Sequence, residues 1–170
     1  HFMLTIRNET QADRRIVEDI TRRAFYNIYV PGCVEHYLVH TMRDHPDFIP
    51  ELDLVAELDG QVIGNVMYTR ASLTDEAGAV KEILTFGPVA IAPEHQRKGW
   101  GRRLLEHSLR RAAELGWEAV VIFDSPVNYV GLGFQSCKRF NVRLEDGWFP
   151  SAMLVKELRV LHFAFLPSWA

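Results

Sequence analysis

One short segment of the 170-residue chain combines the residue types that bind phosphate: residues 96–101, which read Gln-Arg-Lys-Gly-Trp-Gly. Gly99 and Gly101 open a predicted helix, whose first amides lack an intrahelical acceptor and lie at the positive end of the helix dipole. Glycine lets the backbone approach an anion closely, and Arg97 and Lys98 add positive charge. The segment therefore predicts a phosphate or pyrophosphate cradle, with a plain loop-to-helix turn carrying solvated charges as the alternative.

Two other phosphate-binding motifs fit this segment less well. A Walker A loop requires Gly-Lys-Ser/Thr, but Arg102 and Arg103 follow Gly101. A Rossmann fingerprint requires glycine or alanine where Leu104 stands, and its strand should end nearer the first glycine. Asp124 does lie about where a ribose-binding acid is expected, so a dinucleotide-binding oxidoreductase stays open as a third hypothesis.

Hydrophobic periodicity predicts the elements that position this segment. Strands are predicted over residues 2–7, 52–58, 62–70, 80–91, 119–123, 134–143 and 152–158. Helices are predicted after Thr10, around residues 34–42 and over residues 99–115, with a short fourth helix over residues 126–132. The order β-α-α-β-β-β-α-β-α-β-β describes an α/β fold (mixed α+β) in which helices cover one mixed sheet.

The helix faces that pack on the sheet should follow the 3.6-residue period. Thr10 and Asp13 predict a capping box before the first helix, and Gly116 suits the left-handed position after the third. The predicted inner faces are Ala12, Ile16, Ile20 and Ala24 in the first helix, Val34, Tyr37, Leu38, Thr41 and Met42 in the second, and Leu104, Leu105, Ser108, Leu109 and Ala112 in the third.

Turn residues divide the predicted strands. Asp59 and Gly60 form a strong two-residue hairpin signal, and residues 75–78 predict a further turn. Gly87 and Pro88 interrupt the long strand over residues 80–91. Because proline cannot donate to the ladder, a bulge or break is expected there.

Bulk composition narrows the function classes. The formal net charge is -3, so the chain lacks the basic excess that a nucleic acid partner requires. No apolar stretch approaches the ~20 residues of a membrane-spanning helix, and no basic-then-apolar leader is visible. We therefore expect a single domain over residues 3–170 that acts in the cytoplasm without a membrane partner. Cys33 and Cys137 are expected to be reduced, half-buried thiols.

Three sequence motifs point to one family. Residues 96–101 match the pattern Q/R-x-x-G-x-G/A, and residues 89–94, Val-Ala-Ile-Ala-Pro-Glu, look like a V-x-P-E/D strand end before it. Residues 129–134, Tyr-Val-Gly-Leu-Gly-Phe, are similar to a Y-x-x-x-G-F signature. In these motifs the chain resembles the GNAT N-acetyltransferase superfamily, and most of all its predicted bacterial N-acetyltransferase branch. The resemblance follows the whole chain in element order and is specific over residues 89–134.

This resemblance implies the GNAT acyl-CoA N-acyltransferase fold, with about seven strands, two splayed parallel central strands and about four helices. Acetyl-CoA, the implied cosubstrate, would pair its pantetheine arm with the backbone of residues 89–91 as though it were an extra strand. Amides of residues 97–102 would hold the pyrophosphate. Asn128 is either a contact to the arm or a helix cap. The implied cofactor-binding residues are Val89, Ala90, Ile91, Gln96, Arg97, Lys98, Gly99, Trp100, Gly101, Arg102 and Asn128.

The implied reaction is the direct attack of a neutral primary amine on the thioester carbonyl, with no metal. A backbone amide at Val89 or Ala90 would stabilise the developing oxyanion. Tyr129 matches the family's tyrosine acid and would protonate or hydrogen-bond the leaving thiolate. The alternative role for Tyr129 is an aromatic side chain that caps the sheet end.

The general base is the weakest part of the pattern. Many family members carry a glutamate where Gly87 and Pro88 stand in this chain. Glu82, farther back on the same strand, is the candidate that acts through water. Other candidates are a water chain without a protein base, Glu94, His95 and Asp124.

Two further features have no assigned chemistry. Glu35, His36 and His40 have a spacing that metal sites use, but nothing else completes a site, so a polar helix face or a wall of the acceptor pocket is expected. Apolar residues near the C-terminus exceed what one closed core needs and predict a homodimer contact or a covered pocket. They are Trp148, Phe149, Trp169 and residues 160–166.

The leading hypothesis is therefore an N-acetyltransferase. A non-catalytic acyl-CoA-binding sensor or regulatory module is the alternative, because the strand glutamate is missing. The acceptor is a small-molecule or peptide amine; an antibiotic, a polyamine, an amino acid and a protein terminus all remain open.

Overall fold

The computed structural model describes residues 2–26 and 35–159, which contain three α-helices and seven β-strands. The helices are α1 (Arg14–Phe25), α2 (Glu35–Met42) and α3 (Trp100–Glu114). The strands are β1 (Leu4–Asn8), β2 (Leu54–Leu58), β3 (Gln61–Thr74), β4 (Val80–Ile91), β5 (Ala119–Phe123), β6 (Gln135–Ser136) and β7 (Met153–Glu157).

All seven strands belong to one mixed sheet in the order β1-β2-β3-β4-β5-β7-β6. β4 and β5 are parallel, with Leu84 opposite Val120, whereas the β1–β2, β2–β3, β5–β7 and β6–β7 pairs are antiparallel. The sheet confirms the predicted fold class. The predicted fourth helix is replaced by two 3₁₀ turns, Pro126–Asn128 and Val130–Leu132, so the described residues hold three helices rather than about four.

Local signals produced the predicted turns. Asp59 and Gly60 have φ values of 50° and 85°, as a type I′ hairpin between β2 and β3 requires. The Thr10 N–H donates to the Asp13 carboxylate over 2.7 Å, and the predicted capping box is present. β4 runs through Gly87, whose φ of 140° marks the expected irregularity.

The described residues divide into two compact units. One comprises residues 2–26, 35–69 and 87–111, and the other comprises residues 70–86 and 112–159. The first holds α1, α2 and the loop before α3, and the second holds β5, β6 and β7. Each unit has hydrophobic clusters of its own.

In the first unit, α1 buries Val17, Ile20, Thr21 and Ala24. The predicted stripe was half right, because Ile16 and Ala12 are exposed. Residues 11–13 form a 3₁₀ turn, whose three-residue period rotates Ala12 away from the face that α1 presents.

The predicted inner face of α2 was wrong except at Met42, which packs against the core of the first unit. Tyr37 is 64% exposed and Leu38 49% exposed, whereas Val39 is fully buried and packs with Val17, Val55 and Met67. The helix turns Val39 inward, and the residue one turn later on that side is the charged Arg43. A pattern of apolar residues cannot assign a face that includes an arginine. Val34 lies outside the described residues.

The α3 predictions were confirmed. All five residues of its predicted inner face are buried, and the Tyr68 and Ser108 hydroxyls there form a 2.7 Å hydrogen bond. At the C-terminus, Gly116 has a φ of 97°, and the Trp117 N–H donates to Ala112 O in a Schellman arrangement.

In the second unit, β5 and β7 each contribute two residues to the core cluster. The predicted strand over residues 134–143 was wrong, because only Gln135–Ser136 pairs with β7 and Cys137–Phe140 forms a 3₁₀ turn. Cys137 and Phe140 are both buried and three residues apart, which is the period of a 3₁₀ turn. The buried residues of the cluster are Leu73, Ile83, Ala119, Val121, Cys137, Phe140, Val142, Met153 and Val155.

The Cys137 thiol is free and fully buried rather than half-buried, and burial raises its pKa. Phe149 packs against the same cluster, whereas Trp148 is exposed. Cys33, Trp169 and residues 160–166 lie outside the described residues. In the described part of the chain, no helix is both long and apolar enough to cross a membrane.

Candidate active site

The loop before α3 has a left-handed backbone at two positions. Arg97 has a φ of 62° and Gly99 a φ of 85°, and the second value favours glycine. A Cβ atom added at Gly99 would meet no atom within 4 Å, so the space beside this backbone is open. Residues 96–99 are all exposed.

This open backbone leads directly into α3. The Arg103 N–H donates to Gly99 O over 3.1 Å, whereas the N–H groups of Trp100 and Gly101 belong to the first turn, where a helix supplies no acceptor. The helix is 15 residues long, so its positive dipole end coincides with the loop. The segment predicted to cradle phosphate therefore forms an exposed left-handed turn at a helix N-terminus.

Two glycines let the end of β4 pack closely beneath this helix. A Cβ at Gly64 on β3 would lie 2.5 Å from Ile91 Cδ1 and 2.9 Å from Ala90 O, so no larger residue fits there. A Cβ at Gly101 would lie 3.4 Å from Ile91 Cγ1, an ordinary contact that alanine can make. Gly64 is a requirement that the sequence analysis missed, since a lone glycine inside a strand is an ambiguous signal.

Side chains around the turn are engaged within the protein. Gln96 Nε2 donates to Ile91 O over 2.9 Å and so ties the loop to the strand end. Arg23 Nη1 donates to Glu94 Oε2 over 2.8 Å. The backbone N–H of Glu94 and then the Arg23 guanidinium lower the pKa of the Glu94 carboxyl, which makes Glu94 a poor proton acceptor.

The side chains on the first turn of α3 also have partners. The Trp100 ring packs edge-on against Phe2 with centroids 6.1 Å apart, and the Arg103 guanidinium lies 5.5 Å from its centroid. Arg102 pairs with Glu106 one turn along the helix, over 2.8 Å. What this turn presents for chemistry is therefore mainly its backbone.

The backbone N–H and C=O groups at the end of β4 point to two opposite sides of the strand. The Ala92 N–H donates to Ile63 O on β3, and the Ala90 carbonyl lies beside Gly64 on the same strand. Because backbone polar groups of successive strand residues point to opposite sides, those of Val89 and Ile91 point away from β3. The Ile91 carbonyl accepts the Gln96 amide, so the groups left on this outer side for an extended ligand are the Val89 N–H and carbonyl and the Ile91 N–H.

In the second unit, Tyr129 is held by two aromatic rings. The Phe86 centroid lies 6.0 Å and the Phe134 centroid 5.7 Å from that of Tyr129, and Phe86 and Phe134 are also 6.0 Å apart. The Tyr129 side chain is half-buried. The role of Phe86 was missed in the sequence, where only its place on β4 is visible.

The glycine of the Y-x-x-x-G-F signature has a structural reason. Gly133 has a φ of 90° and reverses the chain after the Val130–Leu132 turn, which buries the Phe134 ring against Tyr129. Asn128 is exposed at the end of the preceding 3₁₀ turn, which Ser125 rather than Asn128 begins. Its side chain is therefore not an N-cap.

The candidate bases have different local surroundings. Glu82 is exposed on β4 four residues before Phe86, which corresponds to about 13 Å along a strand. The Asp124 carboxylate accepts the Ser125 N–H over 2.6 Å in a strand-end turn. His95 ends the Pro93–His95 turn before the loop.

The histidine-bearing helix forms a polar surface. His40 Nδ1 lies 2.9 Å from Glu18 Oε1 on α1, and His36 Nδ1 is buried. Within residues 2–26 and 35–159, no group of three or more His, Cys, Asp or Glu side chains could hold a metal ion.

The fold is of the α/β class, with one mixed sheet. A glycine turn at a helix N-terminus, beside outward-facing polar groups at a strand end, is an arrangement that suits a phosphate-bearing, extended ligand. A model of the Acetyltransferase (GNAT) family matches residues 22–131. The chain therefore belongs to the GNAT acetyltransferase family, and it is an N-acetyltransferase as the motifs predicted.

Individual relatives agree with this membership. The uncharacterized N-acetyltransferase YjhQ of Escherichia coli (strain K12) is 27% identical over 138 residues, which are 81% of this chain and 71% of YjhQ. The GNAT family N-acetyltransferase YhbS of Escherichia coli, solved in complex with CoA, is 25% identical with a TM-score of 0.80, over 99% of this chain and 88% of YhbS. A GNAT family acetyltransferase of Brucella melitensis, solved in complex with acetyl-CoA, is 27% identical with a TM-score of 0.69, over 80% of this chain and 85% of that chain.

Proposed function

We propose that this chain transfers the acetyl group of acetyl-CoA to a primary amine by direct attack, as a single acetyltransferase domain over residues 3–170. The observation that carries the proposal is the exposed left-handed turn at Gly99, which has open space beside it and α3 behind it. The chain's similarity to YhbS, solved with CoA, and to the Brucella melitensis enzyme, solved with acetyl-CoA, supports acetyl-CoA as the donor.

The backbone does most of the cofactor binding. Amides of residues 97–102 hold the pyrophosphate, and the exposed side chains of Arg97 and Lys98 add charge at its rim. The polar groups of Val89 and the Ile91 N–H, which point away from β3, pair with the pantetheine arm, while the Ile91 carbonyl stays bonded to Gln96. Asn128 is the remaining candidate contact to that arm.

Tyr129 serves the leaving group. The attacking amine forms the new C–N bond, the thioester C–S bond breaks, and the CoA thiolate takes a proton or a hydrogen bond from the phenol. Reference pKa values of about 10 for tyrosine and 8.5 for a thiol make a strong hydrogen bond sufficient. The packed rings of Phe86 and Phe134 fix the phenol's direction, which matters because a misplaced acid loses most of its effect.

The amine loses its proton through water. Glu82 acts from a distance along β4, or the water chain reaches solvent without it. Replacement of Glu82 by Gln distinguishes these routes: a lowered kcat/KM with an altered acidic limb of the pH profile assigns the base to Glu82, and an unchanged profile assigns it to water.

The test of the proposed function measures release of free CoA from acetyl-CoA in the presence of polyamines, amino acids, an aminoglycoside and a peptide with a free N-terminus. Amine-dependent release, with the acetylated amine identified by mass spectrometry, is the expected result. Tight binding of acetyl-CoA with no turnover on any amine favours the sensor alternative, which the Gly87-Pro88 pair in place of a carboxylate keeps open. Absence of acetyl-CoA binding contradicts both.

The location, the oligomeric state and the class of acceptor are proposed from the sequence. A cytoplasmic location, a homodimer contact through the apolar C-terminal residues, and an acceptor that is neither nucleic acid nor membrane all stay predictions. The wall of the acceptor pocket is assigned to α2, whose exposed Tyr37 and Leu38 provide apolar surface.

A further inference from the structure

A buried arginine attaches the end of α2 to the rest of the first unit. Arg43 follows α2, and its side chain is only 7% exposed. Its Nε and Nη2 donate to the two oxygens of Glu9 over 2.7 and 2.8 Å, and its Nη1 donates to Glu18 Oε2 over 2.9 Å. The side chain of Glu9 is 2% exposed, so this bidentate pair is shielded from water.

A second carboxyl lies against Glu9. Asp53, just before β2, is buried, and its Oδ1 accepts the Asn65 amide over 3.0 Å. The Glu9 N–H donates to Asp53 O over 3.0 Å, which places the two buried carboxyl groups side by side. Asn65 is itself buried and also donates to Leu54 O. Two carboxyl groups can form a hydrogen bond only when one of them carries a proton, since an ionised carboxylate is an acceptor alone.

We infer that Asp53 keeps its proton at neutral pH and donates it to Glu9, so that the Asp53–Glu9 pair is a proton-binding site that holds Arg43 and the end of α2 in place. When the proton leaves for solvent, two buried carboxylates adjoin each other, and of the two only Glu9 forms an ion pair with Arg43. Their repulsion and the cost of burying the second charge weaken the attachment of α2.

The electrostatics of the site agree with its geometry. Burial, followed by the hydrogen bond with Glu9, raises the pKa of Asp53 to about 8. Arg43 and the Asn65 amide act in the opposite direction. The other charged or titratable side chains that line the cavity beside Arg43 are Arg14, Arg15 and Glu18 on α1, His40 on α2, and Asp44.

The direction of the pH effect follows from proton counting. Between pH 4 and pH 8 the folded state binds one proton at Asp53 that the unfolded state has released, so this residue makes stability fall as pH rises through that window. The proton on Asp53 alone makes the equilibrium constant for unfolding this region rise by up to about tenfold per pH unit. The rise levels off above the pKa that Asp53 has in the folded state.

The direct test is a carboxyl ¹³C NMR titration of the full chain labelled at aspartate. The Asp53 resonance, assigned by its loss in Asp53→Asn, is expected to titrate near pH 8. A midpoint near 4 for that resonance would overturn the inference.

A second measurement follows the attachment of α2 by hydrogen exchange of residues 35–42 between pH 5 and pH 8. Asp53→Asn preserves the hydrogen bonds of a neutral acid but has no proton to lose. The equilibrium constant for local unfolding of α2, taken as the ratio of wild type to variant, should therefore rise several-fold per pH unit. Asp44→Asn, which removes an exposed carboxylate next to Arg43, is the matched control and should leave the wild-type slope unchanged. Equal slopes in wild type and Asp53→Asn would contradict the proposal.

Discussion

The loop before α3 and the ring cluster around Tyr129 differ in which groups they expose. The loop exposes backbone amides, and the ring cluster orients one side chain. In the loop the side chains of Gln96, Trp100 and Arg102 are engaged within the protein, and the backbone is left open. At Tyr129 the backbone only shapes a turn, and two rings direct one side chain. The first region should therefore depend on backbone conformation and the second on side-chain identity.

The largest effect is expected when open space in the loop is filled. Gly99→Glu introduces a side chain at a φ of 85° and a negative charge beside the proposed diphosphate site. Loss of two backbone hydrogen bonds to a charged group costs about 3–6 kcal/mol, so acetyl-CoA affinity should fall by about 10²–10⁴-fold. Isothermal titration calorimetry measures this change.

Gly147→Glu is the matched control for this substitution. Gly147 also has a positive φ, of 86°, and open space around it, but lies in another turn. Its variant should bear a similar backbone strain and bind acetyl-CoA as wild type does. Equal affinity in Gly99→Glu and wild type would remove the loop from the site.

The next effect separates binding from chemistry at the second region. Tyr129→Phe keeps the ring packing against Phe86 and Phe134 and removes only the hydroxyl. Loss of a general acid typically lowers the rate by about 10²–10⁴-fold, so kcat should fall while the Kd for acetyl-CoA stays within a factor of two or so. Tyr26→Phe, at an exposed tyrosine, should change neither quantity. An unaltered kcat in Tyr129→Phe would leave the phenol a packing role only.

These two regions were predictable from the sequence because their signals are local. The glycines at 99 and 101, the amphipathic period of α3 and the Y-x-x-x-G-F spacing each lie within a few residues of the structure that they specify. The bounds of β4 and β5 were predicted without error for the same reason.

Features that depend on distant partners were not predictable. The buried face of α2 includes Arg43, whose partner Glu9 lies 34 residues away, so the apolar pattern around Tyr37 and Leu38 suggested the wrong face. Phe86 packs against Tyr129 from β4, and no spacing rule connects the two residues. Many family members carry a glutamate where Gly87 and Pro88 stand, and no local pattern in this sequence indicates which residue takes over its role.

A smaller effect tests whether the turn at Gly133 places the phenol. Gly133→Ala puts a side chain at a φ of 90° and should cost about 1–2 kcal/mol of stability. Because the strain lies between Tyr129 and Phe134, kcat should fall several-fold as well.

Gly78→Ala is the control for Gly133→Ala, because it introduces backbone strain away from Tyr129. It has a comparable φ of 85°, in the turn between β3 and β4, and should lose similar stability in urea unfolding with kcat unchanged. Parallel losses of kcat in both variants would show that general destabilisation, and not the position of Tyr129, lowers the rate.

The smallest effect is expected from the charges at the rim of the loop. Lys98→Gln removes one exposed ammonium group, and exposed charge pairs contribute about 0.2–1 kcal/mol. The affinity for acetyl-CoA should fall by no more than about fivefold, and the difference from wild type should shrink as salt is added. A loss as large as that of Gly99→Glu would mean that side chains, and not the backbone, hold the ligand.

The most direct test is a crystal structure of the chain with acetyl-CoA. We predict diphosphate oxygens within about 2.7–3.2 Å of backbone nitrogens of residues 97–101, with Gly99 still at positive φ. A diphosphate bound elsewhere, with no oxygen in hydrogen-bond range of these nitrogens, would contradict the assignment of the loop.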